Sequence, residues 1–257
     1  MSAPELGSSR KPGRRPPVKW LELRQLGRTG KEASRSLEFA QYADQRAAQA
    51  TAPGASYALR TGSLRDGPYV VDYVADTGDG YDATFAIAAS VNGLCGREPA
   101  DLLVLGGDEA YPVASIPDYE NRLTTPFVDA LNLAEVDAKE KVAGAFVAAL
   151  PGNHDWYDGL VAFRRLFCES WVSPDAPTQL DLQPVEPARW RDEVLGRDLF
   201  QSRSYFAARL PYGWWLWAVD SQLDASIDAA QLAYFERAFR QIRPEEKVIL
   251  CLARPGS

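Results

Sequence analysis

One pattern recurs through most of the chain: a short apolar run, a turn rich in glycine or aspartate, and then a segment with apolar residues at helical spacing. Most of these runs are continuously apolar rather than alternating, which is typical of β-strands covered on both faces. Strands that alternate with helices predict a layered α/β fold. The predicted strand regions are 69–76, 101–108, 144–155, 214–222 and 247–255, and the predicted helical segments are 81–94, 125–138, 159–171 and 228–242.

The residues before this pattern differ in composition from the rest of the chain. Residues 1–17 are basic and rich in proline, glycine and serine, which predicts a flexible arm. Residues 18–66 are predicted to form an N-terminal helical extension, with a helix over 33–50 that Ser34 or Ser36 caps. The main domain is predicted to span residues 67–257.

Charge and cysteine content exclude several classes of protein. The chain has 28 basic and 35 acidic residues, a net charge of -7, which argues against a nucleic-acid-binding protein that neutralises phosphates. Its three cysteines have neither the even count of a disulfide framework nor the spacing of a zinc site, so we expect a reducing, cytoplasmic location. No apolar run approaches the ~20 residues of a transmembrane helix, so no membrane-spanning segment is predicted.

Polar residues stand at the carboxyl ends of the predicted strands. They are Asp76, Asp108, Asn153 with the chain's single histidine, His154, and Asp220. In layered α/β folds the loops at this edge of a sheet converge on one crevice. Oxygen ligands presented there suit divalent cations, and an imidazole beside them could transfer a proton.

Each of these residues also has a structural interpretation. Asp76 and Asp108 could cap the helices that follow their strands. Asp220 and Ser221 are expected to fix a strand-to-helix turn rather than act in catalysis. Trp156 and Tyr157 could flank a substrate, or they could pack in the core.

Taken in order, the motifs VAD, LGGDEAY, PGNHDWYDG and AVDSQLDASIDAAQLAYFERAF resemble those of calcineurin-like metallophosphoesterases, over residues 67–257. The resemblance implies a sandwich of mixed β-sheets flanked by helices. It also implies a hydrolase of phosphate monoesters or diesters that uses two divalent ions (Mn, Fe, Mg or Zn), an activated water and a small phosphate-ester substrate. By the same resemblance Asp76 binds one metal, Asp108 bridges both and Asn153 binds the second. His154 stabilises developing charge or protonates the leaving oxygen.

The chain departs from the family pattern in two ways. The first family motif is D-x-H, but Gly78 occupies the histidine position, and Asp79 or Asp82 could supply an oxygen ligand instead. The family also supplies later histidines that this sequence lacks. We therefore expect a C-terminally incomplete fold with an exposed strand edge at 248–252.

The alternative function follows from these departures. The chain would then be a degenerate phosphoesterase-fold module, weakly metal-binding or inactive, from a longer, membrane-associated protein at the cytoplasmic face of a membrane.

Overall fold

The computed structural model describes residues 14–40, 49, 56–59, 67–168, 183–184, 193–221 and 227–253. Each of the five predicted strand regions contains a strand. The strands are β1 (Tyr57–Ala58), β2 (Val71–Val74), β3 (Leu102–Leu105), β4 (Phe146–Ala149), β5 (Gln183–Pro184), β6 (Glu193–Val194), β7 (Arg197–Leu199), β8 (Phe206–Leu210), β9 (Trp214–Val219) and β10 (Lys247–Leu252). The α-helices are α1 (Leu23–Ala40), α2 (Tyr81–Val91), α3 (Ile116–Tyr119), α4 (Thr125–Leu133), α5 (Val136–Ala143), α6 (Val161–Phe167) and α7 (Ala229–Phe239).

The strands form two sheets. The first has the order β2-β3-β4-β7-β6, and all its pairs are parallel except β6 with β7. The second has the order β10-β9-β8-β1-β5, in which β8 and β9 are antiparallel and the other pairs are parallel. The carboxyl ends of β2, β3 and β4 therefore lie side by side.

Strand β3 shows why the apolar runs are continuous. Leu102 and Val104 pack between the two sheets, and Leu103 and Leu105 pack against helices on the outer face, so all four are fully buried. A further apolar cluster joins the second sheet to α7. The fold is thus α/β, with two sheets flanked by helices, and the prediction of an α/β fold is confirmed.

Two helix predictions are wrong in their bounds. Helix α1 begins at Leu23 rather than near Ala33, because the residues before Ala33 are mostly good helix formers and extend it toward the N-terminus. The proposed cap Ser34 lies inside the helix, where its hydroxyl donates to the carbonyl of Gly30. Residues 41–48 and 50 of the predicted helix lie outside the described residues. The segment 125–138 forms two helices rather than one, because the backbone is extended at Ala134 and interrupts the helix there.

Parts of the predicted arm and extension contact the main domain. Strand β1, from the 18–66 segment, pairs with β8 in the second sheet. Arg15, from the predicted arm, accepts a hydrogen bond at its carbonyl from the Tyr81 N–H, and its guanidinium pairs with Asp118 at 2.6 Å. Residues 1–13 lie outside the described residues.

Strand β10 forms one edge of the second sheet. Among the described residues it pairs only with β9. The side chains of Val248, Ile249 and Leu250 are 42%, 39% and 55% exposed. None of the described helices has the length and apolarity that crossing a bilayer requires.

Candidate functional site

The two aspartates that follow β2 and β3 have the same unusual backbone conformation. Asp76 and Asp108 both have a φ of 57°, in the left-handed region that few residues other than glycine adopt. The Asp76 N–H donates to the carbonyl of Gly107, so the two strand ends are directly connected. Strained backbone of this kind clusters at functional sites, which makes the pair the centre of the candidate site.

A tyrosine hydroxyl joins the two carboxylates. The Tyr111 Oη donates to Asp76 Oδ1 at 2.8 Å and lies 3.2 Å from Asp108 Oδ2. Asp76 is exposed and Asp108 is half-buried, so solvent reaches both. Neither aspartate is an N-cap, because Gly80 and Ser115 precede the helices that follow. The capping interpretation is therefore wrong for both.

Asn153 and His154 reach the site from the end of β4. The Asn153 amide N–H donates to the Tyr157 hydroxyl at 3.0 Å, which leaves its amide oxygen for another partner. The His154 backbone N–H donates to Asp108 Oδ1 at 2.9 Å. The His154 contact joins the loop after β4 to Asp108, whereas the contact of Asn153 stays within its own loop.

The ring of His154 is held in one orientation. Its Nδ1 lies 2.7 Å from the carbonyl of Pro112, and because a carbonyl can only accept, Nδ1 carries a proton. Nε2 is thus the nitrogen left for a ligand or a proton transfer. The rings of Trp20, Tyr111 and Tyr157 pack edge-on against the imidazole, with centroids 5.6, 4.6 and 4.8 Å away.

A buried carboxylate beneath the site was missed by the sequence reasoning. Asp155 is fully buried, and its Oδ2 accepts from the backbone N–H groups of Asp108 and Gly152, both at 2.8 Å. Its Oδ1 accepts from the Tyr119 hydroxyl at 2.5 Å. Asp155 therefore ties the β3 loop to the β4 loop. Its place as the last residue of GNHD was the available signal.

The acidic groups around Asp155 affect one another. Burial, and then the negative charge of Asp155, raise the pKa of Asp108. The same two causes raise the pKa of the buried Glu109 well above its usual range, so this carboxyl tends to keep its proton. Burial and Asp108 also raise the pKa of Tyr111, so its hydroxyl stays a donor. A cation at the site would relieve the repulsion between these groups.

Two glycines allow the loops to approach closely. A Cβ at Gly152 would lie 2.2 Å from Asp108 Oδ1, so only glycine fits at this close approach of the two loops. A Cβ at Gly78 would lie 2.2 Å from the Glu109 carbonyl oxygen. Because no side chain fits there, the histidine of the family motif has no room in this backbone arrangement.

The proposed substitute ligands have different surroundings. Asp79 Oδ1 accepts from the Trp20 indole N–H at 2.9 Å, so one of its oxygens is already engaged. Asp82 is exposed in the first turn of α2, where a carboxylate interacts favourably with the helix dipole. The segment that leads into α1 thus covers part of the site through Trp20.

Asp220 has the structural role that the sequence suggested. It is buried, its backbone N–H and C=O bond to the Gln231 side chain, and its carboxylate accepts from Ser204 at 2.5 Å and from the Trp156 indole at 3.0 Å. Trp156 itself is 3% exposed, so core packing rather than substrate contact describes it.

A cavity of about 200 Å³ opens beside the two aspartates. It is bounded by Tyr73, Gly106, Leu252 and Ala253 as well as by Asp76 and Asp108. It lies between the end of the first sheet and the end of β10, so a small ligand there would lie against both aspartates.

The donors of the site are hard oxygens. Within the described ranges there is no group of three or more His, Cys, Asp or Glu side chains that could hold a metal ion. Two carboxylates and an amide oxygen suit one hard divalent cation such as Mg²⁺ or Mn²⁺. They do not supply two complete ligand sets. Searches of protein-family models and of curated proteins gave no match to this chain.

Proposed function

We propose that the chain is a metal-dependent hydrolase of phosphate monoesters or diesters, acting in the cytoplasm or at its membrane face on a small substrate. The observation that carries the proposal is the convergence of Asp76 and Asp108 on the Tyr111 hydroxyl, with the backbone N–H of His154 donating to Asp108. The two aspartates stand at adjacent strand ends with backbone in the left-handed region, and neither caps a helix. Their adjacent negative charges would favour the binding of a cation.

Asp76, Asp108 and the amide oxygen of Asn153 would hold the divalent ions, which in such sites polarise the phosphoryl group and lower the pKa of water. The resemblance implies two ions. A second ion would need ligands beyond those that the described residues gather.

The remaining chemistry belongs to the chain's own groups. His154, with its proton fixed on Nδ1 by Pro112, would present Nε2 to the phosphoryl group or the leaving oxygen. The Tyr111 hydroxyl would no longer donate to the two carboxylates if a cation were bound between them. Asp155 would keep the two loops in register throughout, because its partners are backbone groups.

The degenerate, weakly metal-binding module remains the second candidate. The backbone around Gly78 leaves no space for the usual histidine ligand. The Trp20 indole N–H donates to one carboxylate oxygen of the nearest substitute, Asp79. A chain of this kind would bind a cation weakly and would hydrolyse nothing.

Hydrolysis of p-nitrophenyl phosphate and bis(p-nitrophenyl) phosphate with Mn²⁺ or Mg²⁺ tests the proposal. We expect metal-dependent turnover that Asp108→Asn abolishes and that His154→Gln lowers mainly in kcat. Asp137→Asn is the matched control, since Asp137 is exposed on α5, which leads into the opposite end of β4. Cation binding without turnover would favour the second candidate instead.

A further inference from the structure

The two leucines in the N-terminal half of helix α1 face solvent. Leu23 is 86% exposed and Leu26 is 50% exposed, and Leu21, just before the helix, is 95% exposed. The more buried positions in this part of α1 are the polar Gln25 and Thr29, whose side chains bond to each other. A helix on a domain surface ordinarily buries its apolar residues, so the arrangement at 23–31 is the reverse of the usual one. Leu21, Leu23 and Leu26 are therefore available to a partner other than the described residues.

Basic residues run beside these leucines. Arg24, Arg28 and Lys31 have the spacing of one helical stripe, and all three are exposed. None of the carboxylates whose side chains the structure describes forms an ion pair with them. The stripe of cations therefore adjoins the stripe of leucines on the solvent side of the helix.

The positive charge is local. Residues 14–31 contain six Lys or Arg and one acidic residue, whereas the whole chain has a net charge of -7. The rest of the chain is therefore strongly acidic. An anionic surface would attract this segment and repel the remainder of the molecule, which would select one orientation of approach.

We propose that the N-terminal half of α1, with Leu21, docks on an anionic lipid surface. Exposed leucines enter the acyl boundary while the adjacent cations bind the headgroups, which is the pattern of an interfacial helix. A nucleic-acid surface would match the cations but would leave the leucines without a partner. This proposal does not depend on the hydrolase activity.

Flotation of the full chain with vesicles is the direct test. We expect binding to vesicles that contain phosphatidylserine and little binding to phosphatidylcholine alone. Each cation contributes about a fivefold factor near an anionic surface, so Arg24→Glu/Arg28→Glu lowers partitioning by more than about tenfold. Leu23→Ser/Leu26→Ser lowers it several-fold on the same vesicles.

Matched controls make the same changes elsewhere. Arg165→Glu/Arg243→Glu alters the same charge on other exposed positions, and Leu133→Ser changes a leucine that is 67% exposed. These controls should bind like the native chain, and circular dichroism should show unchanged helix content in every variant. Equal binding to both vesicle types, an equal loss in the controls, or self-association through α1 without vesicle binding would each overturn the proposal.

Discussion

Replacing the buried Asp155 tests what holds the site loops together. Asp155→Ala removes the acceptor of three donors: the backbone N–H groups of Asp108 and Gly152 and the hydroxyl of Tyr119. Each buried donor left without a partner costs about 1 to 3 kcal/mol. The Tyr119 hydroxyl can rotate toward another acceptor, so its cost is at the lower end of that range. The donors alone therefore predict a loss of about 3 to 7 kcal/mol.

One effect opposes this loss. The charge of Asp155 raises the pKa of both Asp108 and Glu109, so removing it relieves repulsion and offsets part of this loss. The net expectation is a decrease of about 2 to 5 kcal/mol in the free energy of unfolding, a large share of the total for most domains. Asp155→Asn keeps one oxygen for the two backbone donors, and we expect it to lose about 1 to 2 kcal/mol.

Urea unfolding followed by tryptophan fluorescence measures these differences. Asp137→Ala is the control, and as an exposed substitution it should stay within about 0.5 kcal/mol of the native chain. The expected order of destabilisation is Asp155→Ala, then Asp155→Asn, then the control. If Asp155→Ala unfolds at the same urea concentration as the control, the carboxylate does not hold the loops and the reasoning is refuted.

Three further predictions concern the same region. Gly152→Ala puts a Cβ 2.2 Å from Asp108 Oδ1 and should lower the free energy of unfolding in urea by about 2 kcal/mol or more. The control Gly27→Ala, which has open space around it, should raise that free energy by about 0.5 to 1 kcal/mol. Equal effects of the two substitutions would refute the close packing at Gly152. Burial raises the pKa of Asp158 to about 6 from 3.8, so its stabilising contribution is complete at low pH and is lost as the pH rises through 6. Asp158→Asn should therefore gain about 1 to 2 kcal/mol relative to the native chain between about pH 4.5 and 7, and a pH-independent difference would contradict this. Tyr111→Phe removes the hydroxyl shared by the site carboxylates, so calorimetry should show Mn²⁺ affinity rising several-fold; a fall would show that the phenol helps hold the cation.

The strands that the sequence predicts are those with dense apolar runs. β3 and β4 are buried on both faces and leave a continuous apolar signal. Strand β8 was not predicted, because its run is short and contains Arg209. Strand β1 has only two residues, and it pairs with β8, which lies far away in the chain. No local sequence pattern therefore predicts it.

The grouping of the candidate residues was predictable from their positions at strand ends. Asp76, Asp108 and His154 were found in this way, and the structure brings them together. The role of Asp155 depends on backbone donors of another loop, and the closure around Gly78 depends on the backbone at 109–110. Contacts of this kind arise only when separate segments pack, so residue types in sequence do not reveal them.

Calorimetric titration of Mn²⁺ into the native chain and into Asp76→Asn and Asp108→Asn tests the central claim most directly. The two carboxylates are joined through one hydroxyl, so each should contribute to the same cation. We predict that either substitution weakens Mn²⁺ binding at least tenfold, while Asp137→Asn leaves it unchanged. Affinity that is the same in all four proteins would contradict a metal site at these strand ends.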